Sequence, residues 1–101
     1  SLEDALSVRE AQLSMKRRLG VIEESILLSQ GNLANTYQKL GRSEEALKMH
    51  QDVYSGRLKL LGEEHEDTLI AAFNYANSLV TLQRFEEAKA LLRNTMPGAR
   101  R

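Results

Sequence analysis

One stretch of fifteen residues occurs twice in this chain, and the repetition limits the fold more than any other feature. Asn32 to Ala46 reads NLANTYQKLGRSEEA, and Asn74 to Ala88 reads NYANSLVTLQRFEEA, at an ungapped offset of 42 residues. A period of this size marks an internal repeat, the signature of stacked supersecondary units. Each copy reads as a helix, a tight turn at Gly41-Arg42 or Gln83-Arg84, and a second helix. A hairpin of this kind cannot bury its apolar face alone, so neighbouring copies must stack. The product of such stacking is an extended surface.

Composition bounds what the surface can do. The 101 residues carry 14 Lys plus Arg against 14 Asp plus Glu, so no global charge draws the chain to nucleic acid or anionic membrane. Cysteine is absent, which removes disulfides and thiolate chemistry and suits an intracellular, cytoplasmic setting. No apolar run approaches the ~18 residues of a membrane span. The chain opens at Ser1-Leu2-Glu3-Asp4 in a helical pattern and ends inside a second copy. That pattern is expected of a piece of a longer array.

Five helices are expected. Leu2 to Leu19 has acidic residues in its first turn and an apolar stripe of Val8, Ala11, Met15 and Leu19; Leu2, Leu6 and Leu13 form a second stripe. Lys16, Arg17 and Arg18 read as a solvated helix end. Leu19-Gly20 matches Leu61-Gly62 at 42 residues, and Asp4-Ala5-Leu6 matches Glu45-Ala46-Leu47 at 41. Residues 1–20 are therefore expected to be the second helix of a truncated repeat, followed by a repeat at 21–62 and another, truncated, at 66–101. Ile22, Ile26, Leu33, Tyr37 and Leu40 draw the apolar seam of a helix to Leu40. Gly41 is placed to end it with positive φ, and Ser43 to cap the next helix, which runs to Leu61 with Ala46, His50, Val53, Tyr54, Leu58 and Leu61 along one face. The segment from Gly62 to Thr68 connects to a helix at Leu69 to Leu82, with Ala72, Tyr75, Ala76 and Leu79 buried. The last helix is expected from Phe85 to about Met96, interrupted by Pro97 and frayed from Gly98.

These residues resemble the tetratricopeptide repeat. Its pattern of Leu-small-x-x-Tyr, then Ala and a large residue three or four places on, is met by Leu33, Ala34, Tyr37, Ala46 and His50, and by Tyr75, Ala76, Leu79, Ala88 and Leu92. Gln30 and Ala72 stand where the family has Trp. The longer period and Leu61, Gly62, His65 and Thr68 of the connector are similar to the kinesin light chain type, although Glu66 replaces its usual Pro. The resemblance implies an all-α, right-handed solenoid of antiparallel helix hairpins that acts as a protein–protein interaction module. It implies a peptide or extended protein segment lying along the concave face made by the first helices. An Asn one turn into each such helix would bond the peptide backbone, and Asn35 and Asn77 match that position. Leu28, Gln38 and Lys39 adjoin the first, and Ile70, Phe73, Val80 and Thr81 the second. The partner is expected to be protein or peptide, with neither nucleic acid nor membrane, and exposed repeat ends are expected to self-associate.

Asn disfavours helix interiors because its side chain competes for backbone hydrogen bonds. Asn32 and Asn74 are read as struts between helices, Asn35 and Asn77 as ligand contacts. His65 lies among carboxylates, but HEDTL lacks the second His of a metalloprotease helix, so it reads as a cap rather than a metallohydrolase centre. Glu44-Glu45 and Glu86-Glu87 are adjacent on helices and do not face each other. Ser29, Ser43 and Ser78 have no neighbouring base. No catalytic residue, metal or cofactor is expected. The competing reading is a structural spacer, or a self-associating segment without a peptide ligand.

Overall fold

The computed structural model describes residues 1–95. Four helices are found among them: α1 (Leu2–Lys39), α2 (Ser43–Leu61), α3 (Glu66–Thr81) and α4 (Phe85–Thr95). Each packs on its chain neighbour and on no other, α1 on α2, α2 on α3 and α3 on α4. That nearest-neighbour pattern is a solenoid. The molecule is a slab of 61 × 38 × 15 Å. The expectations for Met96, Pro97 and Gly98 lie outside the described residues.

The two hairpin turns are the same structure twice. Gly41 takes φ +74°; its N–H donates to the Gln38 carbonyl at 3.1 Å, and the Arg42 N–H donates to the Tyr37 carbonyl at 2.8 Å. Forty-two residues on, Gln83 takes φ +62°, with Gln83 donating to Val80 at 2.9 Å and Arg84 to Leu79 at 2.8 Å. This paired pattern satisfies the last carbonyls of a helix and requires a left-handed residue. Gln accepts that conformation at a cost Gly avoids. Ser43 does not cap α2. It is the first helical residue, and Arg42 before it makes no side-chain cap. An Arg–Glu fork opens the helix instead: Arg42 donates to both carboxylate oxygens of Glu45, and Arg84 to both of Glu87 at 3.1 and 2.7 Å. The Arg42 hydrogen bond holds the Glu45 carboxyl below its ordinary range.

The fifth expected helix is absent as a separate element, because α1 runs straight through Gly20. The turn at the matching place between α2 and α3 explains why. There Gly62 takes φ +89°, the His65 Nδ1 accepts the Asp67 N–H at 3.0 Å, and the Thr68 hydroxyl donates to the Arg57 carbonyl at 3.2 Å. His65 thus caps α3, as its sequence setting predicts. The residues 42 places earlier are Glu23 and Ile26. Ile26 has no hydroxyl for that tether, and Glu is not among the side chains that favour an N-cap. A lone Gly costs a helix only about 1 kcal/mol relative to Ala, so the helix continues.

The core is built from small residues. Ala34, Ala46, Ala76 and Ala88, at matching places in the two copies, are all buried, as are Ala71 and Ala72. Leu47, Leu79 and Ala88 form its centre, with Tyr75, Leu82 and Leu91 packed against them. Tyr54 and Tyr75 meet across α2 and α3 with ring centroids 6.0 Å apart. Two expected faces are corrected. On α1, Leu27 and Ala34 are buried, whereas Ile22, Ile26, Leu33 and Leu40 are exposed, because α2 packs on the Leu27 side and nothing described covers the other. On α2, Arg57 is buried and Leu58 is exposed. Gly56 gives Leu27 its seat: a Cβ there would lie 2.4 Å from the Leu27 Cδ2.

His50 is buried to 3 % exposure and its Nε2 has no hydrogen-bond partner. Burial lowers its pKa from the ordinary 6.5, since the charged form loses water. The sign follows from linkage: above pH 6.5 both states are neutral, and below it the unfolded chain takes the proton more readily. Stability is therefore lost as pH falls below 6.5. We expect wild type to lose more thermal stability than His50→Leu between neutral and mildly acidic pH, with His65 present in both; superimposable pH profiles would contradict this. We also expect Ala76→Leu, at 2 % exposure, to destabilise by roughly 1–3 kcal/mol through overpacking, read as a lowered melting temperature.

Candidate functional site

The repeat brings α1 and α3 to the same side of α2, and a hollow of about 280 Å³ lies between them. Leu28, Gly31, Asn32 and Asn35 of α1 form one wall. Asp67, Ile70, Ala71 and Asn74 of α3 form the other, and Val53 and Arg57 of α2 lie between. The periodicity of α1 explains the wall. Its Leu27–Ala34 strip turns to α2, which leaves the Leu28, Asn32 and Asn35 side, one step round the cylinder, facing the hollow.

Arg57 organises the floor. Its Nη1 donates to the Glu24 Oε1 of α1 at 2.5 Å, and its backbone carbonyl accepts the Thr68 hydroxyl of α3. One residue of α2 therefore ties both walls. An Arg side chain exposed by only 9 % is costly to bury unpaired, so Glu24 is needed for it to lie there. The sequence contained a signal for this, an Arg in phase with Val53 on a face that is otherwise apolar, but the adjacent Leu58 completed an apolar stripe and was the simpler choice.

Of the expected contact residues, Leu28, Asn35 and Ile70 line the hollow. Gln38 and Lys39 are exposed further along α1, and Phe73, Asn77, Val80 and Thr81 are exposed on α3, all outside the hollow's lining. The Thr81 hydroxyl donates to the Asn77 carbonyl at 2.9 Å, which occupies it locally. Asn32 and Asn74 are not struts. Both are exposed residues on the hollow, and among the described residues their side chains make no hydrogen bond to a neighbouring helix. The small residue Gly31 and the acidic Glu24 and Asp67 complete a lining that is polar at its rim and apolar at Leu28 and Ile70.

No group of three or more His, Cys, Asp or Glu side chains is placed to hold a metal among the described residues, and His65 spends its Nδ1 on the α3 cap. No described helix is long and apolar enough to cross a membrane. What the site offers is a shallow trough with exposed amide groups and two exposed apolar side chains, Leu28 and Ile70, over the buried Leu27, Val53 and Ala71.

Searches of curated proteins and of solved structures returned no match. A protein-family comparison did, and it covers residues 25–101, which is most of the chain. The matching family is described as Tetratricopeptide repeat. Its members are protein–protein interaction modules, typically non-catalytic. With the repeated hairpins, the stacked helices and the matched residues together, the chain belongs to the tetratricopeptide repeat family.

Proposed function

We propose that the chain binds a peptide or an extended protein segment along the face shared by α1 and α3. The observation that carries the reading is the set of exposed amide side chains that make no hydrogen bond among the described residues on that face: Asn32, Asn35 and Asn74 beside the hollow, with Asn77 further along α3. An extended peptide presents alternating N–H and C=O groups, and an amide side chain can serve both. Leu28 and Ile70, exposed on facing walls, provide an apolar seat for a side chain of that peptide. Phe73 and Val80 extend the apolar surface along α3.

A random peptide library panned on the chain supplies the ligand, and calorimetry with the recovered peptide supplies the affinity. One amide bond to a peptide is worth about 0.5–1.5 kcal/mol net. Losing two should weaken binding on the order of tenfold or more. Replacing exposed helical Asn by Ala raises helix propensity. The Asn35→Ala, Asn77→Ala double variant should therefore melt at or above wild type while binding more weakly. Unchanged affinity would remove the asparagines from the site, and a library that yields no specific peptide would favour the spacer reading.

A further inference from the structure

The surface of α1 divides into three strips, and one of them is left exposed among the described residues. Val8, Met15 and Ile22 recur every seven residues, as do Leu19, Ile26, Leu33 and Leu40, in alternating steps of three and four. All are exposed, from 41 % at Leu33 to 64 % at Leu40. At about 100° per residue they stay within one narrow arc along the helix. It lies away from the hollow and borders the α2 contact, where Ile26 shares a cleft with Gly56, Lys59 and Leu60. Such spacing over several heptads is a coiled-coil seam.

The matching strip of α3 is covered. Thr68, Ala71 and Ser78, 42 places after Ile26, Ser29 and Thr36, are buried, and Thr68 is bonded to Arg57 of α2. Carried back one repeat, Thr68 becomes Ile26 and Arg57 becomes Met15. The first half of α1 thus carries the residues that would cover the second half. In one straight helix it cannot do so, because eleven residues separate Met15 from Ile26 by about 16 Å of axis.

We propose that a second copy of this chain covers the strip, with the two α1 helices antiparallel and Met15 of one opposite Ile26 of the other. The same register sets Leu19 against Ile22 and Val8 against Leu33. It also sets Gln12 against Ser29, so two of the three polar interruptions of the seam meet each other, and the third, Thr36, faces Ala5. Lys16 comes beside Glu23 of the other copy, and Asp4 beside Lys39, so the flanking charges are complementary. The centre of this register falls between Gly20 and Val21, which is also the centre of Leu2–Lys39. The helices therefore overlap along their full length about a twofold axis, as an isologous contact requires. Gly20 at that axis has open space where its Cβ would be. The hollow faces elsewhere, so a peptide and a second copy bind together.

Sedimentation equilibrium of the chain should give twice its 11.4 kDa mass in the micromolar to millimolar range. Ile26→Glu, at an exposed position, should keep the helical circular dichroism and weaken dimerisation at least tenfold. The chain has no cysteine, so single substitutions read the register. Under oxidation, Met15→Cys mixed with Ile26→Cys should form a disulfide heterodimer, while Met15→Cys alone should not link to itself. A monomer throughout, a dimer indifferent to Ile26→Glu, or preferential self-linking of Met15→Cys would each overturn the proposal.

Discussion

The structure depends on close approach between helices that carry little side-chain bulk. Ala34, Ala46, Ala76 and Ala88 are buried at matching places, and the tight left-handed turns at Gly41 and Gln83 bring each pair of helices together. Small residues give up hydrophobic area, since each buried CH₂ contributes about 0.8 kcal/mol. In return the backbones pack tightly, and large side chains are left at the edges of the slab. Those edges are where the molecule can meet others.

Arg57 shows how packing becomes a site. Its guanidinium is held by α1 through Glu24 and its carbonyl by α3 through Thr68, so the spacing of the two walls is set by one residue of the helix beneath. The amides above are then displayed on a fixed frame. Tetratricopeptide repeats are protein–protein interaction modules, and a fixed frame of this kind suits the peptide contact proposed above.

Much of this was legible in the sequence. The repeat gave the hairpins, Gly41 gave the turn, and the bounds of α2 follow from the pattern between Gly41 and Gly62. What was not legible came from contests between similar energies. Whether Gly20 turns or stays helical depends on a cap and a tether that Glu23 and Ile26 do not provide, and the matching Leu19-Gly20 and Leu61-Gly62 pairs conceal that difference. Periodicity draws the apolar stripe of α1, but it does not say which neighbour covers it, and Ile22, Ile26, Leu33 and Leu40 are exposed. Asn32 and Asn74 were assigned between helices because Asn is costly inside one, whereas exposure on the hollow leaves them hydrated. Leu28 and Ile70 occupy matching places in the two copies and both reach the hollow, whereas Asn35 reaches it and its match Asn77 does not. The floor at Arg57 could not, because burial of a cation depends on a partner 33 residues away.

The central claim is that α1 is one helix with two environments, its second half packed into the repeat and its first half bare until another molecule covers it. Amide hydrogen exchange along α1, measured at high dilution and again in concentrated solution, tests this most directly. Most of a helix's stability in a protein comes from tertiary packing, which this half lacks without a partner. The account predicts that at dilution protection falls off on the N-terminal side of Gly20, while Leu27 to Lys39 are protected like α3. Concentration should then extend protection to the first half. Equal protection along all of α1 at dilution, unchanged by concentration, would contradict it.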